Sequence, residues 1–272
     1  MRWGHRSRSL VLGSIGFLAF DGLGTNTIEA QVPEIQGFRT TVKENKVVLQ
    51  PIQVNGVRDI KVPRLFNGVK SIRIVEGDQR WEGTLQPEID HWKIGLGAKK
   101  TLTDQSSIEL EMEGVPQWVQ PTVTAQADGS FRLPGSAAQT IGARLLRYEP
   151  QPHKNTVGYW ADAADSAWWL LQCDKAGEFN VAVLQGCGVG QGGSDVEFRF
   201  LKKVGEEWKP AGANVVWKIE ETEHFQDFRW RHLGRVSLEN GTYRIEVHCI
   251  HKAKNDVGDI RELQLVRLPM QR

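Results

Sequence analysis

The sequence predicts an all-β chain of two consecutive β-sandwiches, and three observations carry that expectation. Past residue 30 no apolar stripe repeats at helical spacing. Short runs in which apolar and polar residues alternate recur instead, so each run has one apolar face. Gly, Asn, Asp and Pro bound these runs, and 28 Gly and 11 Pro in 272 residues are enough to turn the chain many times.

Residues 1–30 stand apart from the fold. Arg2, Arg6 and Arg8 precede the apolar run Leu10 to Phe20, and Ile28-Glu29-Ala30 offers a small-residue cleavage context before Gln31. That order reads as a secretory signal peptide, so the expected location is secreted or periplasmic. The run is 11 residues long, well short of the roughly 20 that a membrane-spanning helix needs, and no membrane span is expected. Three arginines, Asp21 and Glu29 leave with the signal, so the 34 basic and 33 acidic residues of the chain fall to equal numbers. A neutral chain lacks the basic stripe that displaces counterions from phosphate, which excludes a dedicated nucleic-acid partner.

In the first half, the alternating runs are Lys46 to Val54, Val69 to Val75, Asp90 to Ile94 and Ser107 to Met112. Turns are expected at Asn55-Gly56, Asn67-Gly68 and Glu76-Gly77-Asp78. This spacing suits a small sandwich over residues 36–134. The polar stretch Gln126 to Pro134 marks a seam, and Leu145 to Glu149 opens a second sandwich over residues 135–272. There Phe179, Val181 and Val183 alternate with polar or small residues, as do Phe198 and Phe200, Val215, Trp217 and Ile219, and Tyr243, Ile245 and Val247. Asn240-Gly241 supplies the positive φ angles of a tight hairpin.

The chemistry-bearing motifs point away from catalysis. Gly188 to Gly193 contains G-x-G-x-x-G, but it runs into Asp195 to Phe200, which has strand period, so it reads as an inter-strand loop rather than a phosphate cradle. His248-Cys249-Ile250-His251 places neighbouring side chains on opposite faces of a strand, which prevents them from sharing one metal ion. The three cysteines, Cys173, Cys187 and Cys249, form no paired C-x-x-C spacing and no disulfide framework. No nucleophile elbow or H-E-x-x-H is present. Acidic residues cluster at Asp162 and Asp165 and at Glu220 to Glu223, but nothing sets two of them across a scissile bond.

Tryptophan carries the remaining signal. Six of the ten Trp residues, including adjacent Trp168 and Trp169, lie after residue 150. Trp217 alternates with Lys218 and is expected in the core, whereas Tyr159, Trp160 and Phe225 fall in expected loops. A loop aromatic can offer its flat face to the C–H face of a sugar while nearby polar groups take the hydroxyls.

Asn155-Thr156-Val157-Gly158-Tyr159-Trp160-Ala161-Asp162, Val183 to Gly188, His224 to Phe228 and Asp259-Ile260-Arg261 occur in an order that resembles accessory modules at the C-terminus of bacterial secreted sulfatases and alpha-L-fucosidases. Those modules are similar to family 6 carbohydrate-binding modules, which are galactose-binding-like jelly rolls, and the likeness covers residues 141–269. Val57 to Asp78 and Ile108 to Gly114 resemble the β-sandwich that follows the catalytic barrel of family 29 fucosidases, without the barrel. The resemblance implies a non-catalytic chain. It implies sugar stacking by Phe225 and by Tyr159 or Trp160, and a structural calcium held by Glu149 and Asp259; His224 and Asp256 complete the expected ligand-binding set, although Glu223-His224 stands where such modules usually have Gly-Gly. Val257 stands where such modules commonly carry a ligand-binding Asn.

The expected function is therefore that of a secreted, non-enzymatic carbohydrate-binding protein whose partner is a glycan. A second expectation is an interaction module that docks onto a secreted hydrolase or a cell-surface partner, and a third is a fragment of a fucosidase-like glycosidase.

Overall fold

The computed structural model describes residues 32–52, 60–142 and 145–269. The expected signal segment and the Asn55-Gly56 turn lie outside the described residues. The described chain is almost entirely β, with two single 3-10 turns at Gly97–Lys99 and Gly135–Ala137.

Eight strands build the first sandwich: β1 (Phe38–Lys43), β2 (Lys46–Pro51), β3 (Ile60–Pro63), β4 (Val69–Glu76), β5 (Gln79–Glu82), β6 (Thr84–Pro87), β7 (His91–Gly95) and β8 (Ser106–Met112). One sheet runs β1-β2-β8-β4-β5 and the other β3-β7-β6. Alternation dictates the core: every second residue of β8 is buried. Ile108, Leu110 and Met112 thereby share a core with Val47, Leu49, Ile74, Val62 and Trp92. Gly77 closes the β4–β5 hairpin at φ 55°, a backbone conformation that a Cβ disfavours.

The second sandwich holds β9 (Thr122–Val123), β10 (Phe131–Pro134), β11 (Gln139–Ile141), β12 (Arg147–Glu149), β13 (Thr156–Gly158), β14 (Ser166–Cys173) and β15 (Gly177–Gly186). It continues through β16 (Asp195–Val204), β17 (Glu207–Pro210), β18 (Val215–Lys218), β19 (Arg229–Leu238), β20 (Gly241–His251) and β21 (Asp259–Arg267). One sheet runs β12-β13-β21-β15-β19 with β10 on β21. The facing sheet runs β11-β14-β20-β16-β17, with β18 on β16 and β9 on β14. Between them lies a jelly-roll core in which Phe198 stacks on Trp217 at 4.7 Å and meets Trp169 edge-on at 6.4 Å. Of the adjacent pair, Trp169 is buried and Trp168 faces outward under the Arg244 guanidinium. Trp217 is a core residue, and its indole N–H donates to Oε1 of buried Gln185 at 3.0 Å.

The stretch expected as a seam is part of the second sandwich. Strand β9 pairs with β14 and β10 with β21, so the chain enters the second fold by Thr122. Phe131 and Leu133 drive this, since both are buried and Phe131 packs against Phe179 at 5.5 Å. Two alternations are too short a run to stand out from a polar loop. Tyr148 ties the two folds together, because it leaves β12 to fill the first core.

Candidate functional site

Loops at one end of the second sandwich close around a pocket of about 240 Å³. The β12–β13 hairpin brings Glu149 and Lys154, the loop after β13 brings Tyr159 and Trp160, the loop before β19 brings Phe225 and Gln226, and the approach to β21 brings Asp256 and Asp259. The register explains the convergence. Glu149 stands opposite Thr156, Val157 opposite Ile260, and Asp259 opposite Gly186, so β13 and β21 place the two hairpin ends and the β15 terminus side by side.

Two buried carboxylates form the floor. A Cβ on residue 158 would lie 2.9 Å from Oδ1 of Asp259 and 2.9 Å from Oε2 of Glu149, so only Gly158 lets both acids close over β13. The Lys154 ammonium meets Oε1 of Glu149 at 2.5 Å. Burial pushes the Asp259 carboxyl well above the ordinary carboxylate range, the negative charges of Glu149 and Asp256 add to that, and Lys154 opposes it.

Aromatic rings form the walls. Tyr159 adopts φ 58° and remains 45% exposed, with the Arg147 guanidinium 3.6 Å from its ring centroid. Phe225 is half-buried across the pocket. Gln226 and Asp256 add polar groups, and the Asp256 N–H donates to Oε1 of Gln191 at 3.2 Å, so the glycine-rich loop supports this rim.

Trp160 and His224 depart from the expected set. Trp160 is 1% exposed, and its indole N–H donates to the Asp165 carbonyl at 3.1 Å, so its ring belongs to the core and only backs the pocket. The left-handed backbone at Tyr159 decides which of the two neighbouring rings turns out. His224 is exposed and lies outside the pocket lining; its Nδ1 accepts the Gln226 N–H at 3.2 Å, which makes it a turn residue. Val257 is fully buried, and its N–H donates to the Trp160 carbonyl at 2.8 Å, so this position anchors the loop from within.

The donors do not fit a calcium site as they are arranged. Calcium takes about six to eight oxygen ligands. Among the described residues no three carboxylate, imidazole or thiol side chains converge as a metal set, and Lys154 already supplies the positive charge on Glu149. Lys154, Gln226 and Arg147 escaped the sequence reading. Lys154 lies five residues beyond Glu149 in a short hairpin, and no residue pattern distinguishes it from any solvated lysine.

The other candidates do not converge. His248 pairs through Nε2 with Glu246 at 2.7 Å, Cys249 packs against the core, and His251 is exposed. All three cysteines are free thiols, and burial pushes the Cys187 thiol up to about 11.

No family model and no curated protein matches the chain. Among solved structures it is similar to a family 35 carbohydrate binding module from Clostridium thermocellum, at 10% identity over 51% of this chain and 98% of that one, with a TM-score of 0.38. It is similar to the C-terminal CBM6 of a marine laminarinase from Zobellia galactanivorans, at 13% identity over 51% and 99%, with a TM-score of 0.39. It is also similar to an alpha-L-fucosidase from Vibrio sp. strain EJY3, at 15% identity over 82% of this chain and 38% of that one, with a TM-score of 0.31.

Proposed function

We propose that the second sandwich recognises a glycan in the loop-edge pocket, with Tyr159 and Phe225 against the sugar ring and Gln226 and Asp256 on its hydroxyls. The observation that carries this reading is the convergence of an exposed and a half-exposed aromatic from separate loops on one concave site with polar groups at its rim. Its volume suits one sugar unit or a chain end. Glu149 and Asp259 set the floor of the site, with the Lys154 ammonium on Glu149. In the same reading the chain is exported and acts without catalysis, as an accessory module of the kind that accompanies fucosidases and sulfatases, beside a secreted hydrolase. A glycan array followed by titration calorimetry tests it; no binding to any sugar would reject it.

Docking onto a protein has one observation in its favour. Strand β19 is a ten-residue sheet edge that presents Trp230, exposed at 39%. A stoichiometric protein partner that protects this strand from hydrogen exchange would favour that reading.

A further inference from the structure

The hairpin that brings Glu149 and Lys154 to the loop-edge pocket, and leads directly into Tyr159, is held from the first sandwich. Its strands β12 and β13 have three residues each, β12 lies at the sheet edge, and the register joins β13 to β21 through the pair Val157 and Ile260. A hairpin this short has little stability of its own. Three contacts fasten it to the first fold. The Tyr148 ring is fully buried in the first core. The Val69 N–H at the start of β4 donates to the Pro150 carbonyl at 2.9 Å. Gln151 Nε2 donates to the Leu85 carbonyl of β6 at 3.3 Å.

Asn155 completes the clamp. It adopts φ 45°, its Oδ1 accepts from the Tyr148 hydroxyl at 2.7 Å, and its Nδ2 donates to Oε2 of Glu113 at 3.4 Å. Glu113 follows β8, its N–H donates to the Gly68 carbonyl at 2.8 Å, and a Cβ on Gly68 would lie 2.5 Å from its Oε2. The first sandwich thus seats the carboxylate that meets Asn155. Lys154, whose ammonium sits on Glu149, immediately precedes Asn155, and Tyr159 follows it by four residues. We propose that the first sandwich is a positioning element for the pocket, acting through Asn155, which Tyr148 and Glu113 clamp so that Lys154 stays over the floor and Tyr159 at the wall. The two sandwiches then form one binding unit. The effect on affinity rests on the glycan reading of the pocket, whereas the mechanical coupling does not.

The test uses the full chain and two readouts. Without sugar, Glu113→Ala is expected to shift the backbone amide resonances of Lys154 and Tyr159, and Glu113→Gln, which keeps an oxygen acceptor, to restore them. With the best sugar from a glycan array, Tyr148→Phe keeps the ring and deletes the hydroxyl, and Asn155→Gly keeps the left-handed backbone accessible and deletes the amide. Each is expected to weaken binding about fivefold by calorimetry, and the double variant to lose no more than the worse single one, because both remove the same clamp. Val47→Ala, in the first core on β2, is the control: it should lower the melting temperature and leave affinity as in wild type. Unmoved Lys154 and Tyr159 amides in Glu113→Ala, wild-type affinity in Asn155→Gly, or an equal affinity loss in Val47→Ala would each overturn the proposal. Amide shifts in a chain that binds no sugar would reject the glycan reading and uphold the clamp.

Discussion

Phe225 rests on Gly188 so closely that a Cβ on that glycine would fall 2.7 Å from Cε2 of the ring. The glycine of a motif that formally resembles a phosphate loop therefore seats an aromatic wall instead. Gly186 plays the same part, since its Cβ would meet the Phe225 carbonyl. Gly188→Ala is expected to displace the ring and weaken sugar binding severalfold. Gly190→Ala serves as the control: it sits at φ 74° with open space around it, so it should lose about 1 kcal/mol of stability without touching affinity. Calorimetry and thermal melting on both variants separate the two effects.

The pairing of Lys154 with Glu149 makes a prediction about cations. Lys154→Met leaves two buried carboxylates without a counter-charge and is expected to cost about 3 kcal/mol. Asp259 has a raised carboxyl pKa, so its contribution is complete at low pH and fades as pH rises through the folded value. The loss in the variant should therefore grow as pH rises through the Asp259 titration. A chelator should leave the wild-type melting temperature unchanged; a drop that calcium restores would show that the floor is a metal site.

Glu76 makes the first sandwich sensitive to acid. Hydrogen bonds from Lys99, Ser106 and Thr103 hold its carboxylate at about 2 rather than 4.5. Its contribution is present above pH 4.5 and disappears as pH falls towards 2. Glu76→Gln should flatten the stability profile over that interval, falling below wild type at neutral pH, where the ionised carboxylate contributes, and converging with it in acid. Urea melts across the acid range read this directly.

Trp217 and Gln185 form a buried polar pair inside an apolar core. Trp217→Phe strips the Gln185 oxygen of its donor and should cost about 1–3 kcal/mol. Adding Gln185→Leu should recover part of it, because the unmet acceptor leaves with the amide. Chemical denaturation of the two single variants and the double variant closes the cycle.

Long alternating runs were legible from sequence, because a half-buried strand must alternate. The expected runs Val69 to Val75 and Ser107 to Met112 correspond to strands Val69–Glu76 and Ser106–Met112. Strands β9, β10 and β11, of two to four residues each, were not, since so few residues cannot show a period. At the site, the loop aromatics were visible as residue types, but which of Tyr159 and Trp160 faces outward depends on one backbone angle. Lys154 became legible only when the hairpin returned it to Glu149.

The central claim is that Tyr159 and Phe225 form one sugar-binding surface. Titration calorimetry with the best sugar from a glycan array, on wild type, Tyr159→Ala and Phe225→Ala, tests it most directly. Both variants should stay folded and lose at least about tenfold in affinity, as expected when an aromatic anchor is removed. Affinity in both variants equal to wild type would contradict the account.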